Sequence, residues 1–272
     1  RDGSIVLRNA AFDPGIINSA GSGTYLVDSL GAGKTIRGTG AVTGGTIVLR
    51  TDAGAITGSN GPLAILPGGT GPTSISASGA SVNLSHSGGD VTLQTFTGQS
   101  VGTVANAATA GGYTLRVGSA NGNLVIDAPV TATSGTGDPN VGRIILAAPG
   151  SITRSATSAT PTLTGADFDL SAGAEIGALD RRIVLDSVGS AGLIATGASV
   201  VIDHVGTAGT LTVSGRGTDP IQTGADGTTG LYFLNSRAEV KTAAPVKAAR
   251  VHLEAGGALT LVNRGHVSAG TI

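Results

Sequence analysis

The hydrophobic positions of this chain fall into one short phrase that keeps recurring. A glycine or small turn is followed by apolar–any–apolar, then a second turn, then one or two further apolar residues. The phrase reads Gly45-Thr46-Ile47-Val48-Leu49 through to Ile56, and Gly142-Arg143-Ile144-Ile145-Leu146 through to Ile152. It reads again as Gly165-Ala166-Asp167-Phe168-Asp169-Leu170 through to Ile176. Looser copies begin at Asp90, Asn123, Arg182, Gly209 and Arg250. The apolar runs are short, rich in Val, Ile, Leu and Thr, and bounded by Gly, Asn, Asp, Ser and Pro, which is the signature of strands. No long stretch free of Gly and Pro carries an i, i+3, i+4, i+7 apolar pattern, so no helix is predicted. The least strand-like segment is Ala238 to Arg250, interrupted by Pro245.

Spacing turns these strands into an architecture. Ile126 to Leu146 is 20 residues, Leu146 to Leu170 is 24 and Leu234 to Leu253 is 19, while Ile202 to Val213 is 11. The long spacings read as full coils and the short one as the next side of the same coil. A self-similar unit of about 20 residues predicts a solenoid. Coils of about 22 residues give roughly 12 of them, and at about 4.8 Å per coil the rod is roughly 60 Å long. Residues two apart share a face of a strand. Ile47 and Leu49, Val91 and Leu93, Leu124 and Ile126, Ile144 and Leu146, Phe168 and Leu170, and Val251 and Leu253 are therefore predicted inward. Thr92, Asp167, Asp169 and His252 are predicted outward. Pro67 to Ser81, Thr131 to Val141 and Thr153 to Pro161 read as loops thrown out from coils. No domain boundary is visible, so residues 1–272 read as one domain.

Composition supports a thin core. The chain has 272 residues with 46 Gly, 3 Tyr and 4 Phe, and no Cys, Met or Trp. A compact domain of this size normally fills its core with aromatics and Met; a narrow solenoid is filled by aliphatics alone. The net charge of −1 argues against a nucleic-acid partner, which needs a basic footprint. No run reaches the length of a membrane-spanning helix. Arg1 is not an initiator and no signal peptide is present, so a mature product or a piece of something longer is expected. Strands begin at Ser4-Ile5-Val6-Leu7-Arg8 and persist through Leu259 to Ile272, with no capping helix. Further coils of the chain, or like subunits stacked end to end, are therefore the expected partners.

The phrases resemble the repeat region of filamentous-haemagglutinin-type adhesins, the large exoproteins of two-partner secretion, over most of the chain from Gly44 to Gly270. Autotransporter passengers carry similar repeats. The resemblance implies a right-handed parallel β-helix, located extracellularly on a bacterial cell surface and contacting a host-surface or matrix ligand. The Asn-Pro-Asn-Gly-type motif of that family's secretion domain is only loosely matched by Asp138-Pro139-Asn140-Val141, which lies mid-chain. The resemblance is therefore to shaft rather than to secretion signal.

Candidate chemistry is sparse. Gly31-Ala32-Gly33-Lys34-Thr35 is similar to the end of a phosphate-binding loop, but Asp28 stands where a Gly is needed and no helix follows. Asp167, Asp169, Asp180, Asp186 and Asp203 raise a polysaccharide-degrading β-helix enzyme, with paired carboxylates on one outer sheet. Asp167 and Asp169 share a face and Asp186 is placed one coil away; against this, outward charges are ordinarily solvated and Arg181 and Arg182 lie near. His86, His204, His252 and His266 are too scattered for a metal site and read as surface histidines, Asp203-His204 being the one close acid–His pair. Gly224-Ala225-Asp226-Gly227 is one copy of a calcium-type turn that works only in tandem. Asn83-Leu84-Ser85 is a lone sequon. No catalytic, cofactor or metal residue is assigned.

One feature stands apart. Val6, Val48, Val125, Ile145 and Val184 occupy outward positions yet are apolar. Stacked in register they would make an exposed aliphatic band broken by Thr92. Such a band is either β-propensity with singly exposed residues or a lateral contact surface for a loop, another rod or a partner. The reading is of an all-β, right-handed parallel β-helix serving as a non-catalytic shaft and contact surface. A self-assembling extracellular filament and the β-helix enzyme are the alternatives.

Overall fold

Alternation of apolar and small polar residues builds a parallel β-helix. A computed structural model describes residues 5–8, 18–31, 34–98, 101–133, 142–156, 162–224, 227–261 and 267–268. Among them there is no helix, and all strand pairings but one are parallel. Two long sheets form the sides. In the first, fifteen strands stack in eleven levels, from Ile5–Arg8 through Thr24–Ser29, Thr46–Thr51 and Thr73–Gly79 to Ser199–His204, Leu231–Ser236 and Arg250–Ala255. The second runs through Ser81–His86, Tyr113–Val117, Arg143–Ala148, Asp167–Ala172, Ala191–Thr196 and Thr210–Val213 to Leu259–Leu261. Eleven coils at about 4.8 Å make a stack of about 50 Å. A small third side, Ile221–Gln222, Val246–Lys247 and Val267–Ser268, appears in the C-terminal coils.

The register places like above like. Tyr113, Ile144, Phe168, Leu193 and Val213 form one inward column of the second sheet, and Leu84, Leu115, Leu146, Leu170 and Ala195 form the next. In the first sheet Val91, Leu124, Ile152, Ile176, Val200, Tyr232 and Val251 stack likewise. Nearly all of these are buried, and one continuous core runs up the axis. Every residue pair predicted inward is buried except Leu253, which packs half-buried against the last coil. Gly142, at φ +79°, turns the chain into its phrase in a conformation that side chains disfavour. At Gly45 the reason is different: an added Cβ would lie 2.3 Å from the Ser22 carbonyl of the preceding coil.

Coil length varies more than the phrase predicts. Thr73 to its partner Val91 is 18 residues, whereas Val91 to its partner Leu124 is 33. Leu146–Leu170 and Leu234–Leu253 are true one-coil steps, but Ile126 and Leu146 belong to different sheets. The interval from Pro67 to Ser81 is not a loop: it contains the strand Thr73–Gly79. Its alternation of Thr73, Ile75 and Ala77 inward is masked in the sequence by small residues. Of the other predicted loops, residues 134–141 and 157–161 lie outside the described residues.

The first sheet is interrupted where the second is not. Four consecutive coils split into half-strands. These are Val91–Leu93 with Asn106–Ala108, Leu124–Ile126 with Val130–Ala132, Ile152–Arg154 with Thr162–Thr164, and Glu175–Ile176 with Ile183–Asp186. Thr73–Gly79 below and Ser199–His204 above pair with both halves. In the first split coil the inserted segment forms an antiparallel hairpin, Phe96–Gly98 with Gly102–Val104.

Candidate functional site

Chemistry on this molecule is built by register, because each outward column brings one side chain per coil to the same place. On the second sheet the column Arg143, Asp167, Gly192, Thr212, Lys241 lies beside the column Thr114, Ile145, Asp169, Ile194. Asp169 faces outward, as alternation predicts, but is not solvated: it is 5% exposed. Arg143 Nη2 donates to its Oδ2 at 3.1 Å, and Arg216, arriving from the segment after Thr210–Val213, donates to its Oδ1. Burial of this carboxylate follows from two guanidinium groups closing over it. Asp167 behaves differently. Its Oδ1 accepts from the Gly192 N–H at 2.7 Å and its carboxyl group stays half-exposed. Gly192 leaves a gap in the column, and a notch of about 200 Å³ opens there, lined by Arg143, Asp167, Gly192, Ile194 and Ser214 among others.

The remaining acids do not join this cluster. Asp186 lies on the first sheet, not one coil from Asp167, because the chain changes sheet between the two phrases. Asp203 is paired with Arg182 at 3.0 Å and Asp180 with Arg181 at 3.4 Å. Asp167 and Asp169 thus share a face without forming a free acid–base pair, since Asp169 already holds two arginines.

The histidines correct the sequence reading. His252 is exposed, stacked on Phe233 at 4.5 Å with Arg182 on that ring. His86 and His204 instead point into the core and are 0% and 1% exposed. Each is the last inward residue of its strand, where the coil turns. His86 lies between Ile65 and Val117 in register; Gly88 N–H approaches Nδ1 at 3.4 Å, so Nε2 carries the proton and donates to Thr73 Oγ1 at 3.0 Å. Burial lowers its pKa to about 4. His204 bridges Ser187 Oγ at 2.8 Å and Ser236 Oγ at 2.9 Å. Ser187 donates to Gly189 O at 3.1 Å, a closer contact than the 3.4 Å from Ser236 Oγ to Ala238 O, so Nε2–H donates to Ser187 and Nδ1 accepts from Ser236. Burial lowers the pKa of His204 too, against an opposing effect of Asp186. A serine within hydrogen-bond reach of a histidine has the form of a nucleophile and base. Here both are buried and both ring nitrogens are occupied, so the pair ties coils together. The sequence gives no sign of it, because Ser187, His204 and Ser236 are 17 and 32 residues apart.

The five apolar outward residues do not form one band. Val6 and Val48 share a column through Leu26. Val125 lies between Thr92 and Thr153 in another column. Val184 lies between Thr162 and Asp203, several coils further along the stack than Val48, and Ile145 lies on the second sheet. Val125 and Ile145 are half-buried and Val184 is 9% exposed. Val48 is buried, because the antiparallel hairpin folds back over it: Leu26, Val48, Val101 and Val104 form a separate cluster with Phe96 against it. Arg50 clasps the hairpin, donating to the Val101 carbonyl at 2.7 Å and to both Asp28 oxygens at 2.7 and 2.8 Å.

Of the weaker motifs, residues 32–33 and 225–226 lie outside the described residues, as does His266, and Asn83 faces outward in mid-strand beside Thr114. Comparison with protein-family models, with curated proteins and with solved structures gives no match.

Proposed function

We propose that this chain is a shaft and contact surface of a large bacterial surface adhesin or exoprotein, located outside the cell and without chemistry of its own. The observation that carries the reading is the pair of parallel sheets stacked through eleven coils around one continuous apolar core. Such a solenoid is stabilised coil by coil and extends by adding coils. Its sides present long surfaces on which each coil adds one side chain to every outward column, and the inserted segments of the first sheet vary that surface without disturbing the stack. The repeats resemble those of filamentous-haemagglutinin-type adhesins, which agrees with this role.

The partners in this reading are further β-helix coils or like subunits stacked end to end, and a host-surface or matrix ligand on the sides. Leu259 and Leu261, in the last strand of the second sheet, are 44% and 43% exposed, and a following coil would cover them. The filament alternative draws on the same two residues. Electron microscopy of the purified chain tests the proposal. Straight rods of about 50 Å, or multiples of that length joined end to end, are expected. Globular particles would overturn it. Reducing-sugar release from polysaccharide that is lost in an Asp167→Asn, Asp169→Asn double variant would favour the enzyme instead.

A further inference from the structure

We propose that the notch at Gly192, on the outer face of the second sheet, is a subsite for a single neutral sugar ring. The inference deepens the contact-surface reading above and rests on it. It starts from the register. Arg143, Asp167, Thr212 and Lys241 each supply a side chain to one outward column, and Gly192, between Asp167 and Thr212, supplies none. The result is a depression about one coil high with Asp167 as one wall and Ile194 and Ser214 beside it.

The groups around the notch differ in kind. Asp167 is an acceptor whose Oδ1 is fixed by the Gly192 N–H, which holds the carboxylate plane and leaves Oδ2 to a ligand. Arg143 uses Nη2 for Asp169 and has about four further N–H donors on its guanidinium. Ser214 adds a hydroxyl that both donates and accepts. Ile194 supplies an apolar wall. The charges of Arg143 and Arg216 are balanced by those of Asp167 and Asp169. An anionic ligand would meet the Asp167 carboxylate, and a cationic one would meet Arg143 and Arg216. A neutral ring with vicinal hydroxyls and a C–H face satisfies acceptor, donor and apolar wall together. A volume of about 200 Å³ admits one such ring, with the rest of a chain lying along the sheet.

The test uses the full chain and saturation-transfer NMR with cellotriose, maltotriose and chitotriose as neutral probes and trigalacturonate as the acidic comparison. At least one neutral trisaccharide is expected to receive saturation and to bind in the millimolar range. Asp167→Ala is expected to weaken that binding at least tenfold. Gly192→Ala is expected to do the same, because the new Cβ would sit 2.5 Å from Asp167 Oδ1 and push the carboxylate off the Gly192 N–H. Ile145→Ala, outside the notch, should leave binding unchanged, and thermal midpoints report whether each variant keeps its fold. If either notch variant fails to fold, Ser214→Ala carries the test with the same expected weakening. Absence of signal from all three neutral probes would overturn the proposal. So would binding unaffected by the notch variants, or binding of trigalacturonate alone. Rods in micrographs without sugar binding would sink the notch and leave the shaft standing; sugar binding by a chain that forms no rods would do the reverse.

Discussion

Through the middle of the molecule the two sheets solve the same stacking problem in different ways. From Ser81–His86 to Ala191–Thr196 the second sheet is unbroken, each strand two to three residue pairs deep in core. Over those same coils the first sheet is cut into half-strands, with segments inserted between the halves. Yet the inward columns continue on both sides: Leu93 still meets Ile126, and Leu163 still meets Leu185. Register in this solenoid is therefore held by the columns and not by the length of chain between them. Lengthening a surface loop costs little entropy, so coils of 18 and 33 residues coexist. What changes at the cuts is how backbone polar groups are satisfied. In the unbroken sheet the next strand does it. At the first cut a side chain does: Asn106 occupies the position opposite Ala77, accepts from the Ala77 N–H at 3.1 Å and from Tyr113 O–H at 2.9 Å, and donates to the Gln94 carbonyl at 3.0 Å.

The largest expected effect lies in the unbroken sheet. Leu146 is fully buried between Leu115 and Leu170, so Leu146→Asp places an unpaired carboxylate in a narrow apolar core and should cost about 4 kcal/mol or more. Ile145→Asp, one residue away on the outer face, should cost less than about 1 kcal/mol. Denaturant midpoints compare them directly, and equal losses would show the face assignment to be wrong.

Acid should act next. His86 is neutral in the fold with its pKa lowered to about 4 by burial, against about 6.5 unfolded. Below pH 6.5 the unfolded chain therefore binds the extra proton, and stability falls as pH falls towards 4. The full difference is about 3 kcal/mol, and His204 shifts in the same direction. Above pH 7 these two groups should contribute no slope. Chemical denaturation between pH 4 and 8 measures this, and the slope should shrink in His86→Gln.

The cut itself is tested by Asn106→Leu. This change keeps the branched shape, with a somewhat larger volume, but strips the acceptor from Ala77 N–H and Tyr113 O–H, and leaving two buried donors unpaired costs about 2–3 kcal/mol. Asn123→Ala is the external comparison. Asn123 links Asp90 to the Ser151 N–H at a half-exposed corner, where water replaces what is lost, so the expected cost is under about 1 kcal/mol. A larger loss at Asn123 than at Asn106 would mean that the cuts, and not the corners, are the tolerant places.

Much of the unbroken sheet is legible in the sequence, because Ile144, Leu146, Phe168 and Leu170 alternate with side chains too large to mistake. The first sheet is less legible. Its half-strands offer two inward residues at most, and Thr73–Gly79 hides its pattern among Ser, Ala and Gly. The hairpin is invisible for a related reason: alternation does not distinguish an antiparallel return such as Gly102–Val104 from a new coil. Polar residues are misread whenever a partner distant in sequence decides their burial. Asp169 looks solvated until Arg216 arrives, 47 residues later. His86 and His204 look like surface residues because they close Ser81–His86 and Ser199–His204 beside turns, yet alternation puts both on the inward face. The notch at Gly192 is legible only once the register is known, since a missing side chain is a feature solely by comparison with its column.

The smallest effect decides what the outward valines do. Val48 and Val125 occupy like positions in the phrase, and alternation treats them alike. Val48 is buried beneath Val101, Val104 and Phe96, with Arg50 tying the hairpin's Val101 carbonyl to the Asp28 carboxylate. Val125 lies half-buried between two threonines. Val48→Ala should therefore open a small cavity under the hairpin and cost about 1 kcal/mol, whereas Val125→Ala should stay within about 0.5 kcal/mol. The hairpin adds a second readout. Weakening its apolar seat favours a local opening that leaves the stack intact, because its legs join the coil only through Gln94, Thr95 and Ala105, and such openings are the low-stability end of a fold. Limited proteolysis under native conditions should cut within residues 96–104 faster in Val48→Ala than in the parent chain, with no change in Val125→Ala. Equal cleavage in all three would mean that Arg50 and Asp28 hold the hairpin without help from the valine beneath it.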